Sequence, residues 1–300
     1  MYHSTVIDLN LPPVPKMKAL SIDDCDFIRN VFERHPPVFS EFTFSNLFMW
    51  KENRHTFFCE IDNTVIFLIQ DAQENYLVFG PPFGPLSLDQ VIPKLPVKVE
   101  KAVRTSLPTK EIPGWEFSTS PDDADYVYKV SDLIEFPDHL YHRKRQLMRG
   151  CLSRYDCQYE ELHEENIYEC RQLQKRLFEE SDQTESSRQE HIAAERLIEN
   201  IDHFDVFGGV IRINRQVEGF MIGKTLNATT AVGHVEKTNP EIHGLSTLMH
   251  HWFAKYSLES YEYFNVEQDL GLPGLRQSKS SFFPDHMVVK WEGNLVHNQF

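Results

Sequence analysis

The sequence predicts an α+β protein built in two similar halves, each a mostly antiparallel sheet flanked by helices. Three observations carry that prediction. The order helix, three strands, helix occurs twice, around 43–95 and again around 184–257. Within each copy the strands are joined by short polar links, which suits antiparallel neighbours. At 300 residues and 41% apolar composition the chain is large enough for two medium cores. The halves divide into units of 1–134 and 135–300.

Residues 1–20 contain Pro12, Pro13 and Pro15 and read as an extended lead-in, because proline has no amide proton to give a ladder. Ser21 can cap a helix opening at Ile22-Asp23-Asp24, with acids where the positive end of the dipole lies. Phe27, Ile28, Val31 and Phe32 hold helical spacing until Pro36-Pro37 stops it. The aromatic-rich stretch 39–50 reads as core filling rather than a base-stacking box. Strands follow at 56–61, 64–70 and 76–79, the first two joined through Asp62-Asn63 in a tight hairpin. The run from Gly80 to Pro85 reads as a turn, its prolines removing the amides a phosphate nest needs. Ser87 or Asp89 opens another helix. From 96 to 125 the pattern weakens to one short strand at 115–117, before a strand at 126–130 and an element boundary at 131–133.

The second half opens with a basic helix whose apolar stripe comprises Leu140, Leu147, Met148, Cys151, Leu152 and Tyr155. An acidic segment then carries two helices, 165–180 and 184–200, with Thr184 or Ser186 as the second cap. Its acids, Glu190, Glu195 and Glu199 among them, read as a solvated face. Strands at 208–213, 217–226 and 230–236 form a meander. Leu245, Leu248, Met249, Trp252, Phe253 and Tyr256 follow at helical spacing, so a helix packs on the sheet. Strands at 261–266 and 286–291 flank a short helix at 274–282.

A formal net charge of −15 argues against DNA and against general adhesion to anionic polymers or lipid. Any anionic partner must meet a local patch. Arg143, Lys144, Arg145, Arg149 and Arg154 supply one, with Asp138 the sole acid in 136–155 and a local charge of +4. This set reads either as a solvated helix face or as a surface that binds an anionic donor. Five cysteines without a Cys-x-x-Cys pair read as reduced thiols, and no metal-ligand spacing is present. No apolar run approaches the roughly 20 residues of a transmembrane helix, and the N-terminus lacks a signal peptide, so the expected location is cytoplasmic.

The stretch 265–279 concentrates the chemistry. A strand ends there in a loop punctuated by Gly271, Pro273 and Gly274. Glu267 and Asp269 would share one side if the strand continued, while Arg276 and Lys279 would share a helix face. Two acids and two bases so placed can either stiffen a turn or handle an amine together with an anionic carrier. His234 and His243 flank the same strand-to-helix junction as secondary candidates.

The pattern Asn265-x-Glu267-Gln268-Asp269-Leu270-Gly271, Gly274-Leu275-Arg276, Lys279, Ser281-Phe282, Pro284 and Lys290 resembles the signature of the phosphatidylglycerol lysyltransferase C-terminal-like family, a DUF2156-type group. Matches also run through Phe42 to Trp50, His142 to Arg145, and Gly208 to Arg212 with Gly219-Phe220. The resemblance implies two tandem GNAT-like acyltransferase domains, similar to the Fem aminoacyltransferases. It implies transfer of an aminoacyl or acyl group to an amine or hydroxyl, on a small molecule or lipid headgroup. The donor is then aminoacyl-tRNA or acyl-CoA, and no other cofactor is expected. CoA-dependent N-acetyltransferases hold the pyrophosphate on a Gly-rich loop ahead of a helix. The matching loop here retains Gly244 but places Pro240 and Glu241 near the would-be diphosphate, which suits the CoA reading poorly. In that frame Glu267 or Asp269 orients or deprotonates the nucleophile, and Arg276 and Lys279 stabilise the oxyanion or bind the donor. Two non-catalytic readings compete: a metabolite-binding protein on the same scaffold, and an RNA-binding protein using the 143–154 face.

Overall fold

A computed structural model describes residues 16–137 and 139–296; Pro12, Pro13, Pro15 and Asp138 lie outside the described residues. The first half contributes β1 (Lys18–Ala19), α1 (Cys25–Arg34), α2 (Phe44–Met49), α3 (Lys51–Arg54), β2 (Phe57–Ile61), β3 (Thr64–Gln70), β4 (Tyr76–Phe83), α4 (Leu88–Val91), β5 (Val99–Thr105), β6 (Trp115–Thr119), β7 (Asp125–Lys129) and α5 (Val130–Glu135). The second contributes α6 (His142–Arg154), β8 (Cys157–Glu161), α7 (Glu164–Glu179), α8 (Glu185–Glu199), β9 (Phe207–Ile213), β10 (Gln216–Thr225), β11 (Thr230–Thr238), α9 (Leu245–Ser257), β12 (Tyr263–Asn265), α10 (Pro273–Ser280), β13 (His286–Val288) and β14 (Trp291–Leu295).

These strands form two seven-stranded sheets, ordered β1-β2-β3-β4-β5-β14-β6 and β13-β7-β12-β11-β10-β9-β8. Each sheet is antiparallel except at one parallel pair, β4 with β5 and β11 with β12. A parallel pair needs a crossover, which α4 supplies in the first sheet and α9 in the second. Each sheet also receives a strand from the other half. The chain's last strand, β14, lies between β5 and β6, while β7 lies between β12 and β13. A cut at 134/135 divides the halves of the chain but leaves one strand of each sheet on the far side.

The helices pack on the second sheet according to side-chain alternation. Ile211, Ile213 and Met221 face α9 and its neighbours α5 and α6. Val210, Phe220 and Ile222 face the opposite way, into a core shared with α7, α8 and the first half's Phe42, Phe44 and Phe48. The aromatic stretch is therefore the packing between halves, with Phe204 5.9 Å from Phe44 and 5.7 Å from Phe48.

Several details depart from the sequence reading. β4 continues through Gly80-Pro81-Pro82 to Phe83 instead of turning. The prolines are tolerated because β5 has left β4 after Phe79 and the β3 register shifts there, so their missing amides break no ladder. Gly80 is required at its site: a Cβ would fall 1.9 Å from the Phe42 ring, and its φ is +85°. β5 and β8 were not expected, and 130–135 is a helix rather than a boundary. The single strand expected at 286–291 is two strands, β13 and β14, because the chain crosses from one sheet to the other at Val289-Lys290. The Asp62-Asn63 hairpin forms as expected, both residues having positive φ as a tight primed turn requires.

Candidate active site

β11 and β12 pair over only three residues, Thr230–Val232 against Tyr263–Asn265, although β11 runs on to Thr238. Beyond Asn265 the two strands part. The chain leaves the extended conformation at Glu267, which is held at φ +61°. A non-glycine residue there is strained and must be held by its surroundings. The Glu267 amide donates to the Asn265 side-chain oxygen at 2.8 Å, and its carbonyl accepts from the Tyr126 amide at 3.1 Å.

The strain aims the Glu267 carboxylate across the opening. Its Oε1 meets His234 Nδ1 at 3.0 Å and the Asn46 amide nitrogen at 3.0 Å. His234 Nε2 lies 2.7 Å from Thr43 Oγ1, the N-cap of α2, which also accepts from the Asn46 backbone amide. With a proton on Nδ1 the imidazole donates to Glu267, and Nε2 stands at hydrogen-bond distance from the Thr43 hydroxyl. The His234 side chain is fully buried, whereas Glu267 keeps 22% exposure towards a cleft of about 720 Å³. Glu236, His250, Arg54, Arg104 and Lys279 also line that cleft.

The four residues of the 265–279 motif separate into two roles. Glu267 and Lys279 face the cleft. Lys279 Nζ donates to the carbonyls of Val266 and Gln268, both at 2.6 Å, and burial pushes its ammonium below its ordinary pKa. Asp269 and Arg276 are not among the lining residues of the cleft. Asp269 is fully buried and accepts from Arg276 Nε at 2.7 Å and Nη2 at 2.8 Å, from Tyr126 at 2.6 Å and from the Gly271 amide at 2.8 Å. The Arg276 bond holds the Asp269 carboxyl far below the usual carboxylate range. Arg276 also bonds Asp122 at 2.6 Å, so this pair braces the loop that presents Glu267.

The basic helix does not gather its charges at one point. Arg143 and Arg149 are exposed, Arg145 donates to the Phe136 carbonyl, and Lys144 turns inward. Lys144 Nζ bonds Ser281 Oγ at 2.7 Å and sits 3.3 Å from the centre of the Phe282 ring. Burial lowers its pKa from 10.5 to about 8. Between those two values the unfolded chain binds the extra proton, so this group's contribution to stability rises with pH. Relative to Lys144→Met, the wild-type protein is expected to gain about 2 kcal/mol between pH 8 and 10.5, read by urea denaturation.

Gly244 stands at φ +91° directly before α9, and a Cβ there would fall 2.4 Å from the Leu147 carbonyl oxygen of α6. The backbone of α6 thus lies against the start of α9. Gly244→Ala is expected to cost about 2 kcal/mol or more, measured by denaturation midpoint, because strain and overlap add. His243 is exposed beside it.

Sequence reasoning missed the contribution of the first half, Thr43 and Asn46 at the base and a buried charge cluster behind them. Lys290 is 1% exposed and bonds Asp125 at 2.5 Å and Glu41 at 2.7 Å. Arg104 adds a 2.8 Å bond to Glu41. Gln268 fits between: with its amide turned to suit both neighbours, its nitrogen lies 3.1 Å from Asp125 Oδ1 and its oxygen 2.9 Å from Arg104 Nη1. Burial would raise the Glu41 carboxyl, but Lys290 and Arg104 hold it at about 2. One signal was available: Glu41 is the lone acid in the aromatic run 39–50, where a core alone has no use for it.

Two mixed sheets, each opened at a parallel pair, make a tandem GNAT-like α+β fold, and in the second sheet an acid and a histidine stand at the opening. The chain belongs to the family described as phosphatidylglycerol lysyltransferase, C-terminal, whose model matches residues 32–291. Among solved structures it is similar to a conserved protein of unknown function from Bacteroides thetaiotaomicron VPI-5482, 26% identical with a TM-score of 0.84 over 94% of this chain and 99% of that one. It shares its fold with L-PGS from Bacillus licheniformis, 12% identical with a TM-score of 0.64 over 92% of each chain. It also shares its fold with FemX, 11% identical with a TM-score of 0.58 over 95% of this chain and 98% of that one. No curated protein matches the chain. Among the described residues, no helix is long and apolar enough to cross a membrane.

Proposed function

We propose that the protein is an aminoacyltransferase that moves an activated aminoacyl group from its ester on tRNA to an amine or hydroxyl of a small molecule or lipid headgroup. The observation that carries this reading is the Glu267 carboxylate, oriented by His234 and Asn46 and exposed to the cleft between the sheets. In this reaction the acceptor nucleophile adds to the ester carbonyl and gives its proton to Glu267. The buried Lys279 ammonium stabilises the oxyanion. Collapse breaks the carbon–oxygen ester bond, and the proton passes from Glu267 to the departing oxygen.

The choice of donor is supported by Gly244. A CoA pyrophosphate would use the amides at the start of a helix in the position of α9, and here α6 packs against that point. An aminoacyl ester makes no demand on this loop.

The test is to incubate the purified protein with aminoacyl-tRNA and acyl-CoA pools and candidate amine acceptors, and follow both pools by mass spectrometry. Loss of an aminoacyl ester beyond its spontaneous hydrolysis, with a matching acylated acceptor, is the expected result. Consumption of a thioester would replace the donor, and retention of a ligand without turnover would refute transfer.

A further inference from the structure

Both sheets open beyond their parallel pair, and both openings carry a non-glycine residue in left-handed backbone. In the second sheet it is Glu267; in the first it is Arg104, at φ +50° near the end of β5 where the pairing with β14 shifts register. The first opening is a cavity of about 410 Å³ bounded by Phe79, Val103, Arg104, Ser118, Ser120 and Arg54. Arg54 and Arg104 line the large cleft as well, so they stand where the two spaces meet.

Arg54 is under-used in that position. Its guanidinium lies 5.3 Å from the Trp50 ring centre and 5.1 Å from that of Phe79. Among the described residues its only hydrogen bond runs from Nη1 to the Asn46 side-chain oxygen at 3.0 Å, and no carboxylate forms an ion pair with it. A guanidinium carries five N–H donors, so most of them lack a protein acceptor. Burial and then the adjacent Arg104 charge push Arg54 below its ordinary pKa, against the opposing pull of Glu41 and Glu267. Arg104 gives Nη1 to Glu41, and among the described residues its Nη2 meets only Asp123, at 3.7 Å.

A desolvated guanidinium with no carboxylate in ion-pair contact and most of its donors unmatched favours an incoming anion, and its fork matches the paired oxygens of an oxyanion. We propose that Arg54 and Arg104 form an anion subsite at the junction of the two cavities, and that it takes a phosphate-class oxyanion. Asn46 bonds both Arg54 and Glu267, each at 3.0 Å, so a phosphate held there is next to the proposed base. Its role as a substrate-positioning group rests on the transfer reading, but its binding does not.

Isothermal titration of the full chain at fixed ionic strength with inorganic phosphate, glycerol 1-phosphate and acetate tests this. Saturable binding of the phosphates in preference to acetate is expected. Tighter glycerol phosphate supports a substrate-borne phosphate, and tighter inorganic phosphate supports a free one. Arg54→Gln should weaken binding about tenfold or more, Arg54→Lys should recover part of it, and Arg34→Gln, at an exposed site on α1 outside both cavities, should change nothing. A measurement without variants runs alongside: phosphate should slow phenylglyoxal modification of Arg54, read by peptide mass spectrometry, but not that of Arg34. Absence of saturable binding, equal affinity in Arg54→Gln, or no protection of Arg54 overturns the subsite. Lost phosphate binding in Arg54→Gln, together with no consumption of aminoacyl ester or thioester by the wild-type protein, would keep the subsite and refute the transfer reading.

Discussion

Glu267→Gln is expected to lower turnover roughly 100- to 10,000-fold while leaving the fold in place. Glutamine is nearly the same shape, and its oxygen can still accept from His234 and Asn46, which now meet at Glu267 Oε1 within 3.0 Å. What it lacks is the capacity to take a proton. The loss should therefore appear in kcat, with the KM for the acceptor changed much less. The left-handed backbone at 267 is held by the Asn265 side chain and the Tyr126 amide, neither of which depends on the carboxylate, so the melting temperature should stay within a few degrees. Turnover equal to that of the wild-type enzyme would remove Glu267 from the chemistry.

The same backbone detail explains why the motif could be found in the sequence but not resolved into roles. Alternation along a strand places Glu267 and Asp269 on one side, and that holds only while the chain stays extended. Positive φ at Glu267, Leu270 and Gly271 breaks the alternation, sending one acid to the cleft and the other to a buried bond with Arg276. Long amphipathic elements survived the translation well: the meander from β9 to β11 and the stripe of α9 follow periodicities that burial enforces. β5 and β8 did not, because their charged residues, such as Glu100 and Lys101 or Glu160 and Glu161, interrupt the apolar pattern. Of the partners of Glu267, His234 stood among the candidates at the same junction, but Asn46 was beyond local reasoning. Asn46 lies 221 positions away and reaches the base only because the two halves pack through the aromatic stretch. The exchange of β7 and β14 is equally long-range, and it decides where Asp125 and Lys290 meet.

That meeting point carries the largest expected effect on stability. Lys290→Met should destabilise the protein by about 3 to 5 kcal/mol near neutral pH, because it leaves Glu41 and Asp125 buried with one counter-charge fewer. In the wild-type protein burial and the adjacent Glu41 push the Asp125 carboxyl up even with Lys290 beside it. Without the ammonium both carboxyls should shift upward. A carboxyl whose folded pKa exceeds its unfolded value binds more protons when folded, so the variant should lose stability as pH rises. Glu41 acts in the opposite sense in the wild-type chain: held at about 2, it contributes stability above the ordinary carboxylate range that is lost as pH falls from 4.5 towards 2. The gap between the two proteins should therefore be wide at pH 7.5 and narrower at pH 5, read from urea midpoints at both. Adding Asp125→Asn to Lys290→Met removes one of the stranded charges and should recover about 1 to 3 kcal/mol, a coupling that independent sites would not show. A constant gap across pH, with no recovery in the double variant, would mean that Lys290 supports the strand crossing by packing alone and that the charges of the cluster are screened by water.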